Sequence, residues 1–295
     1  MDGIIVINKE KEYTSHDVVA KIRRILNLKK VGHTGTLDPN ATGVLPILLG
    51  QGTKLSKYLI NHDKTYEVLL KLGIKTDTAD IEGNIIETKE IDYSKINKDN
   101  LNKILKELIG KQKQVPPMYS AIKVKGKKLY EYARKGIKID VEPRNIEIYN
   151  TELLDFSKDE IIFKVDCSKG TYIRSICEKL AEELNTVGHM KDLKRTKVDI
   201  FEIKDAITIS KIDESINNTD TDKNKLDTYI ISIEEFFKDK EKISLNNKEI
   251  ELFLNGVKLD FNKYSDDIYR IYNKENIFIG IGEIKEGIIK RDIIV

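Results

Sequence analysis

Residues 32 to 46 read GHTGTLDPNATGVLP, and no other stretch constrains the fold of this chain so tightly. Three glycines and two prolines fall within fifteen residues. Gly32, Gly35 and Gly43 open backbone dihedrals closed to other residues, while Pro39 fixes its own φ and pushes Asp38 toward an extended conformation. A loop of this composition has a set shape. Asp38 can cap a short helical turn begun by Pro39, and the same geometry can present its carboxylate to a cleft.

A chain of 295 residues exceeds the usual size of one core, so one large and one small unit are expected. Hydrophobic residues at 40% and charged residues at 34% describe a soluble globular protein. No apolar run approaches the roughly 20 residues of a membrane span. The opening MDGIIVINKEKE has five apolar residues followed by charges, which is not a signal peptide, and a cytoplasmic protein is expected. Cys167 and Cys177 are the only cysteines, and the four histidines make no zinc-site spacing, so no metal is expected. With no glycine-rich phosphate signature, no nucleotide cofactor is expected either.

The net charge of +2 is small, but the charges are segregated. Residues 103 to 138 hold eleven Lys or Arg against two Glu, while residues 213 to 235 hold seven acids against two lysines. Such segregation fits a polyanion-binding face on an otherwise balanced surface. Within 114 to 138 the basic residues interleave with Tyr119, Tyr130 and Tyr132. Lysines there would neutralise phosphates without reading sequence.

GIIVIN at 3 to 8 reads as a buried strand, and Thr14-Ser15 then caps a helix carrying Val18, Val19, Ile22, Ile25 and Leu26. VLPILL at 44 to 49 is a second strand, Thr53 starts a helix with Leu55, Tyr58 and Leu59, and 64 to 70 is a third strand. Helices are predicted at 99 to 109 and 172 to 184, and strands at 144 to 154 and 160 to 167. The order is not a regular βαβ alternation, so the fold class is α+β with a mixed, mainly antiparallel sheet. From about Asp213 the composition turns acidic and polar, which reads as a linker or long surface loop. The boundary is placed near 240, separating a unit at 1 to 240 from a small β-rich unit at 241 to 295 built of short strands and tight turns.

Several segments together resemble the ordered motifs of the bacterial tRNA pseudouridine synthases of the TruB family. They are GHTGTLDPNATGVLP, DKTYEVLLKLG at 63 to 73, TDTAD at 76 to 80, VPPMYSAIKVKGKKLYEYARKG at 115 to 136 and CSKGTYIRSIC at 167 to 177. The resemblance runs from Gly3 to about Thr208. It implies a pseudouridine-synthase catalytic fold over 1 to 240, a small PUA-like RNA-binding domain over 241 to 295, and isomerisation of uridine-55 in the T-arm loop of tRNA without cofactor or metal. A protein acting as a monomer, with no obligate protein partner, is expected.

Turning uridine into its C-glycoside requires the N-glycosidic bond to be cleaved, the uracil to be rotated while trapped, and a new bond to be made at C5. One carboxylate can serve, either by attacking the sugar or by removing a sugar proton. By resemblance that carboxylate is Asp38, with Arg174 as its ionic partner. Tyr66 would stack on the flipped uracil and assist the late proton transfer from C5. Tyr172 and Leu193 would contact the substrate, and His33 would fill the gap left by the extruded base. Asp77 and Asp80 are read as acids that stabilise a turn or support the site from behind. The basic stretch around 114 to 138 resembles a mobile segment that closes over the RNA, with Lys123, Lys125, Lys127 and Lys128 against its backbone. Lys191, Lys194, Arg195 and Lys197 would add phosphate contacts.

Two positions depart from the family pattern. Lys9 is followed by Glu10 where the family has proline, and Asp199 replaces a glycine after the LKRT segment. Three other readings fit parts of the sequence, one of them a uridine isomerase that acts on a different RNA position or is guided by partner proteins. A non-catalytic RNA-binding protein would keep its role without Asp38, and a glycosidase would need a second acid at a set separation.

Overall fold

The computed structural model describes residues 1–59, 62–217 and 226–295. The chain opens with β1 (Gly3–Lys9), α1 (Ser15–Ile25), β2 (Val31–His33) and β3 (Thr42–Leu49). α2 (Ser56–Leu59), β4 (Lys64–Leu72), the hairpin β5 (Ile74–Thr76) and β6 (Ile85–Thr88), and α3 (Lys98–Glu107) follow. Next come β7 (Gly110–Gln114), the short hairpin β8 (Lys123–Val124) and β9 (Lys127–Lys128), α4 (Leu129–Ala133), β10 (Arg144–Phe156) and β11 (Glu160–Cys167). α5 (Ile173–Glu183), β12 (Gly188–Val198), β13 (Phe201–Glu202), α6 (Ile209–Asn217) and β14 (Ile230–Ser232) complete the larger part.

Among the described residues, ten strands form one sheet along the path β14-β1-β3-β12-β4-β11-β10-β7, with β2 on β3 and β13 on β12. Every pairing is antiparallel except β12 with β3. The mixed, mainly antiparallel α+β reading is what the structure displays. α1 forms where a capping box exists: the Asp17 amide donates to Thr14 Oγ1 at 3.1 Å and the Thr14 amide returns to Asp17 Oδ2 at 2.8 Å. Its apolar face buries Val18, Val19 and Ile22 against Ile5, Ile7 and Ile47. α3 and α5 cover a second core in which Phe163, Val165, Ile176 and Leu180 are fully or almost fully buried.

β12 is the strand that organises the site. Arg195 pairs with Gly43 of β3 on one side and with Tyr66 of β4 on the other. The loop carrying Asp38 runs between β2 and β3, so this strand brings the loop and Tyr66 together. Gly43 has a φ of 105° and passes so close to β12 that a Cβ would lie 2.1 Å from the Arg195 carbonyl oxygen.

A second sheet is ordered β15-β17-β18-β19-β16, from β15 (Lys242–Ser244), β16 (Leu259–Asp260), β17 (Asp267–Tyr272), β18 (Phe278–Lys285) and β19 (Ile288–Ile294). Its Ile281 and Ile293 join Ile4, Val6, Val44 and Leu48 of the main sheet in one apolar cluster. No helix of the described residues is long and apolar enough to cross a membrane.

Four sequence expectations need correction. The linker reading fails over its first residues, because α6 is a helix burying Ile209 and Ile212, while 218–225 lie outside the described residues. The helix expected from Thr53 is a 3-10 turn over Gly50–Leu55, with α-helical geometry only at Ser56–Leu59. A capped helix, Asn247–Leu254, interrupts the segment expected to hold strands and turns alone. β12 went unread as a strand although it lies at the middle of the sheet.

Gly43→Ala is expected to lower unfolding stability by at least roughly 2 kcal/mol, since a side chain there meets backbone in a strained conformation. Chemical denaturation of wild type and variant measures this.

Candidate active site

Asp38 is held by its neighbours' backbone contacts. Ser15 Oγ accepts from the Leu37 amide at 2.9 Å, Lys9 Nζ donates to the Pro39 carbonyl at 2.7 Å, and Arg195 donates to the Gly35 and Val44 carbonyls at 2.9 and 2.8 Å. The loop is thereby tied before, beside and after the acid. Its rigidity follows from buried donors meeting carbonyls that would otherwise go unsatisfied.

Arg174 projects from the first turn of α5, after Tyr172 has been fixed by a reciprocal pair of bonds with the Gln114 amide group at 2.8 and 3.0 Å. Its Nε lies 3.3 Å from Asp38 Oδ2 and its Nη1 3.5 Å from Asp80 Oδ2. The same guanidinium donates to the Thr78 and Tyr119 carbonyls at 3.2 and 2.9 Å. The Arg174 side chain is 7% exposed and that of Asp38 is 40% exposed, so the guanidinium is a wall and the carboxylate faces the opening. Burial pushes Asp38 above the usual carboxylate range, Arg174 opposes the shift, Asp80 adds to it and Lys9 opposes it. Lys9 is itself buried and is pushed down to about 8, against a Coulombic pull from Asp38.

Thr36, Leu37, Asp38, Tyr66, Tyr172, Arg174, Met190 and Leu193 surround a cavity of about 110 Å³. That space suits a ring rather than a single water, for which about 10 to 15 Å³ is enough. Burial pushes the Tyr66 phenol up to about 12, with Arg195 pulling against it. The cavity therefore combines one carboxylate, a cation holding it, and apolar or aromatic walls. Such a site can trap a planar base and deliver one acid to the sugar beside it. A larger groove of about 670 Å³ along the β7 and β10 edge, lined by Lys111, Lys113 and Glu147 among others, has no comparable carboxylate and guanidinium pair.

Asp38, Tyr66, Arg174, Tyr172 and Leu193 thus converge on one cavity. His33 does not line it: the residue closes β2 at the entry to the loop, half-buried, with Nδ1 unpartnered among the described residues. Lys123, Lys125 and Lys127 are exposed on the β8 and β9 hairpin, whose turn has positive φ at Lys125 and Gly126. Lys128 is half-buried, with Nζ 3.2 Å from the Tyr130 hydroxyl. Asp77 binds the Asn84 amide as a turn-former, but Asp80 does more, since it shares Arg174 with Asp38. The phosphate role expected of Arg195 is wrong: its side chain is 0% exposed. Lys191, Lys194 and Lys197 stay at the surface and pair with Glu160, Glu67 and Glu202. The sequence reading missed Met190 and Gln114 and left Lys9 without a task; only the buried geometry reveals them.

Comparison with known proteins gives the fold and the family. A structure of a Cbf5-Nop10-Gar1 complex superposes with a TM-score of 0.69 and 25% identity, covering 95% of this chain and 78% of that one. The fold is that of the pseudouridine synthases. The TruB family pseudouridylate synthase N-terminal domain matches residues 23–173, the tRNA pseudouridylate synthase B C-terminal domain matches 174–238, and the pseudouridine synthase II TruB C-terminal region matches 242–291. Proteins named tRNA pseudouridine synthase B are similar over nearly their whole length. That of Clostridium perfringens is 44% identical over 97% of this chain and 96% of its own, and that of Clostridium tetani is 43% identical over 97% of each. The chain belongs to the TruB family of pseudouridine synthases.

Arg174→Gln removes the cation that favours ionised Asp38, so the Asp38 carboxyl is expected to titrate at higher pH than in wild type. It also takes the cation from Asp80, lowering stability by roughly 3 kcal/mol at neutral pH and by less once Asp38 is protonated. Carboxyl-carbon NMR titration and denaturation at two pH values test both effects.

Proposed function

We propose that this chain, by its family an isomerase of transfer-RNA uridine, converts uridine-55 of the T-arm loop to pseudouridine with Asp38 as the reacting carboxylate. The observation that carries the reading is the Asp38–Arg174 pair at 3.3 Å, placed at the wall of a ring-sized cavity that Tyr66 also lines. The uridine leaves its stack and enters the cavity, and Arg174 keeps Asp38 ionised and aimed at the sugar. Cleavage of the N-glycosidic bond frees the uracil, the apolar walls keep it from escaping, and its C5 bonds to the sugar carbon. Tyr66 then assists the late transfer of the C5 proton to solvent, the C5–C6 double bond re-forms, and N1 takes up a proton in its place. Every heavy atom of the uridine reappears in the product, so the route consumes no co-substrate.

In this proposal residues 1 to 240 carry the chemistry, and 241 to 295 form a PUA-like unit that adds RNA contact. Tyr172 and Leu193 hold the base. His33, at the mouth of the loop, occupies the space the base vacates. Lys123, Lys125, Lys127 and Lys128 lie along the RNA backbone on a segment that closes when RNA binds. One chain acts alone as a monomer in the cytoplasm.

Incubation of purified protein with unmodified tRNA, followed by chemical mapping, is expected to place pseudouridine at position 55. Asp38→Asn and Asp38→Ala are expected to lower the single-turnover rate by at least roughly 10³-fold while tRNA binding persists. Equal product from wild type and variants would sink the assignment of Asp38, and product at another position would sink the target. Released uracil would favour a glycosidase instead.

Replacing Lys123, Lys125, Lys127 and Lys128 together by Ala is expected to weaken tRNA binding without shifting the modified position. Each lost phosphate contact should flatten the logarithmic salt dependence of binding by about 0.7 to 0.9. An unchanged slope would remove these lysines from the interface.

A further inference from the structure

The VPPMYS run at 115 to 120 belongs to the motif set, yet the described residues that line the cavity lie outside it. The polar residue just before it, Gln114, is only 8% exposed. β7 reads GKQKQ, so Lys111 and Lys113 turn one way while Gln112 and Gln114 turn the other. The two glutamines meet α5 at Lys179 and Tyr172, seven residues apart on one side of the helix. Gln112 Oε1 accepts from Lys179 Nζ at 2.8 Å. Gln114 Oε1 accepts from the Tyr172 amide at 2.8 Å, and its Nε2 donates to the Tyr172 carbonyl at 3.0 Å.

A side-chain amide carries both a donor and an acceptor, so it can serve a backbone carbonyl and a backbone N–H at once. Tyr172 stands at the N-cap of α5, where its own side chain makes no capping bond. Gln114 supplies the missing hold from a neighbouring strand, and its backbone is fixed in turn by pairing with Arg144 of β10. Arg174 follows Tyr172 by two residues, and the same stretch of chain reaches it again: Arg174 Nη2 donates to the Tyr119 carbonyl at 2.9 Å. Between these two ties lie Pro116 and Pro117, which fix their own φ and have no amide to satisfy. The connection from one tie to the other is stiff.

We propose that Gln114 to Tyr119 form a strut that positions Arg174, with Gln114 acting through the Tyr172 backbone and the Tyr119 carbonyl acting on the guanidinium itself. Two ends of one rigid stretch then fix where the helix starts and how the planar fork is turned, which keeps its Nε edge toward Asp38. Gln114 does not line the cavity and is a positioning residue for the isomerisation. This role rests on the assignment of Asp38 and Arg174 made above.

The test follows single-turnover rates at saturating unmodified tRNA as a function of pH. Arg174 and Lys9 favour ionised Asp38, whereas burial and Asp80 oppose it. A guanidinium that has drifted from the carboxylate therefore moves the acid limb of the profile to higher pH. Gln114→Met, similar in length and without the amide, is expected to slow the plateau rate roughly 10- to 10²-fold. Its acid limb should rise by about half a pH unit or more. Its tRNA affinity should stay within about twofold of wild type. The double variant Pro116→Gly, Pro117→Gly keeps the Gln114 bonds and frees the Tyr119 carbonyl, and its acid limb is expected to move the same way.

An acid limb at the wild-type position in either folded variant would overturn the proposal, because Asp38 would then feel Arg174 as before. Weaker tRNA binding with a wild-type plateau rate would overturn it as well, since the stretch would then serve RNA affinity alone. Thermal melts establish that each variant is folded, and one folded variant suffices to decide. Arg174→Gln separates the two levels: a wild-type rate and acid limb in that variant defeat the Asp38–Arg174 assignment itself, whereas a raised limb there with an unmoved Gln114→Met defeats only the strut.

Discussion

The site depends on a single guanidinium shared by two acids. Arg174 touches Asp38 and Asp80 at once, and two carbonyls use its remaining donors. At 3.3 Å and an effective dielectric near 20, the attraction to Asp38 is on the order of 5 kcal/mol before desolvation. Taking the ions out of water costs several kcal/mol for each, so the net effect on stability is close to nil. What the pair supplies is direction. A planar fork fixes where the carboxylate points, and it favours the ionised form in surroundings whose burial disfavours that form. The same arrangement leaves the outer side of Asp38 open to a substrate.

That direction would be lost on a flexible loop, and the sheet prevents this. The loop runs between β2 and β3, both of which lie in the main sheet. Lys9 and Ser15, at either side of the turn into α1, reach its middle at Pro39 and Leu37. Arg195 reaches its two flanks from β12. Elements distant in sequence thus meet on the ten residues of backbone from Gly35 to Val44. None of these ties is apolar, and each satisfies a group that burial would otherwise leave without water.

Much of this was legible in the sequence. The glycines and prolines around Asp38 announced a shaped loop, and uninterrupted apolar runs announced β1 and β3, which are buried on both faces. Tyr66 and Arg174 were found through motifs. β12 was not, for a physical reason: GHMKDLKRTKV carries five charged residues, two pairs of them adjacent, which breaks the strand alternation and imitates a basic tail. Its inward face includes Leu193 and Arg195, two residues apart as the strand period requires, but an arginine on that face reads as polar surface. Two register shifts further blur the alternation. α6 was hidden by acidic composition, although Ile209, Ile212 and Ile216 recur at helical spacing.

The C-terminal sheet bears on the site from behind. Ile4 and Val6 of β1 and Val44 and Leu48 of β3 turn one face toward Ile281 and Ile293, while Ile5, Ile7, Leu45 and Ile47 turn the other toward α1 and α6. Strands covered on both sides cannot slip by one residue without exchanging their buried sets. Asp292 adds a polar clamp on Lys57 and on the Tyr58 hydroxyl, just beyond β3. The register of β3 fixes Gly43 against Arg195, and Gly43 is where the Asp38 loop ends. Packing by the C-terminal unit therefore reaches Asp38 through one strand, without any residue of that unit entering the cavity.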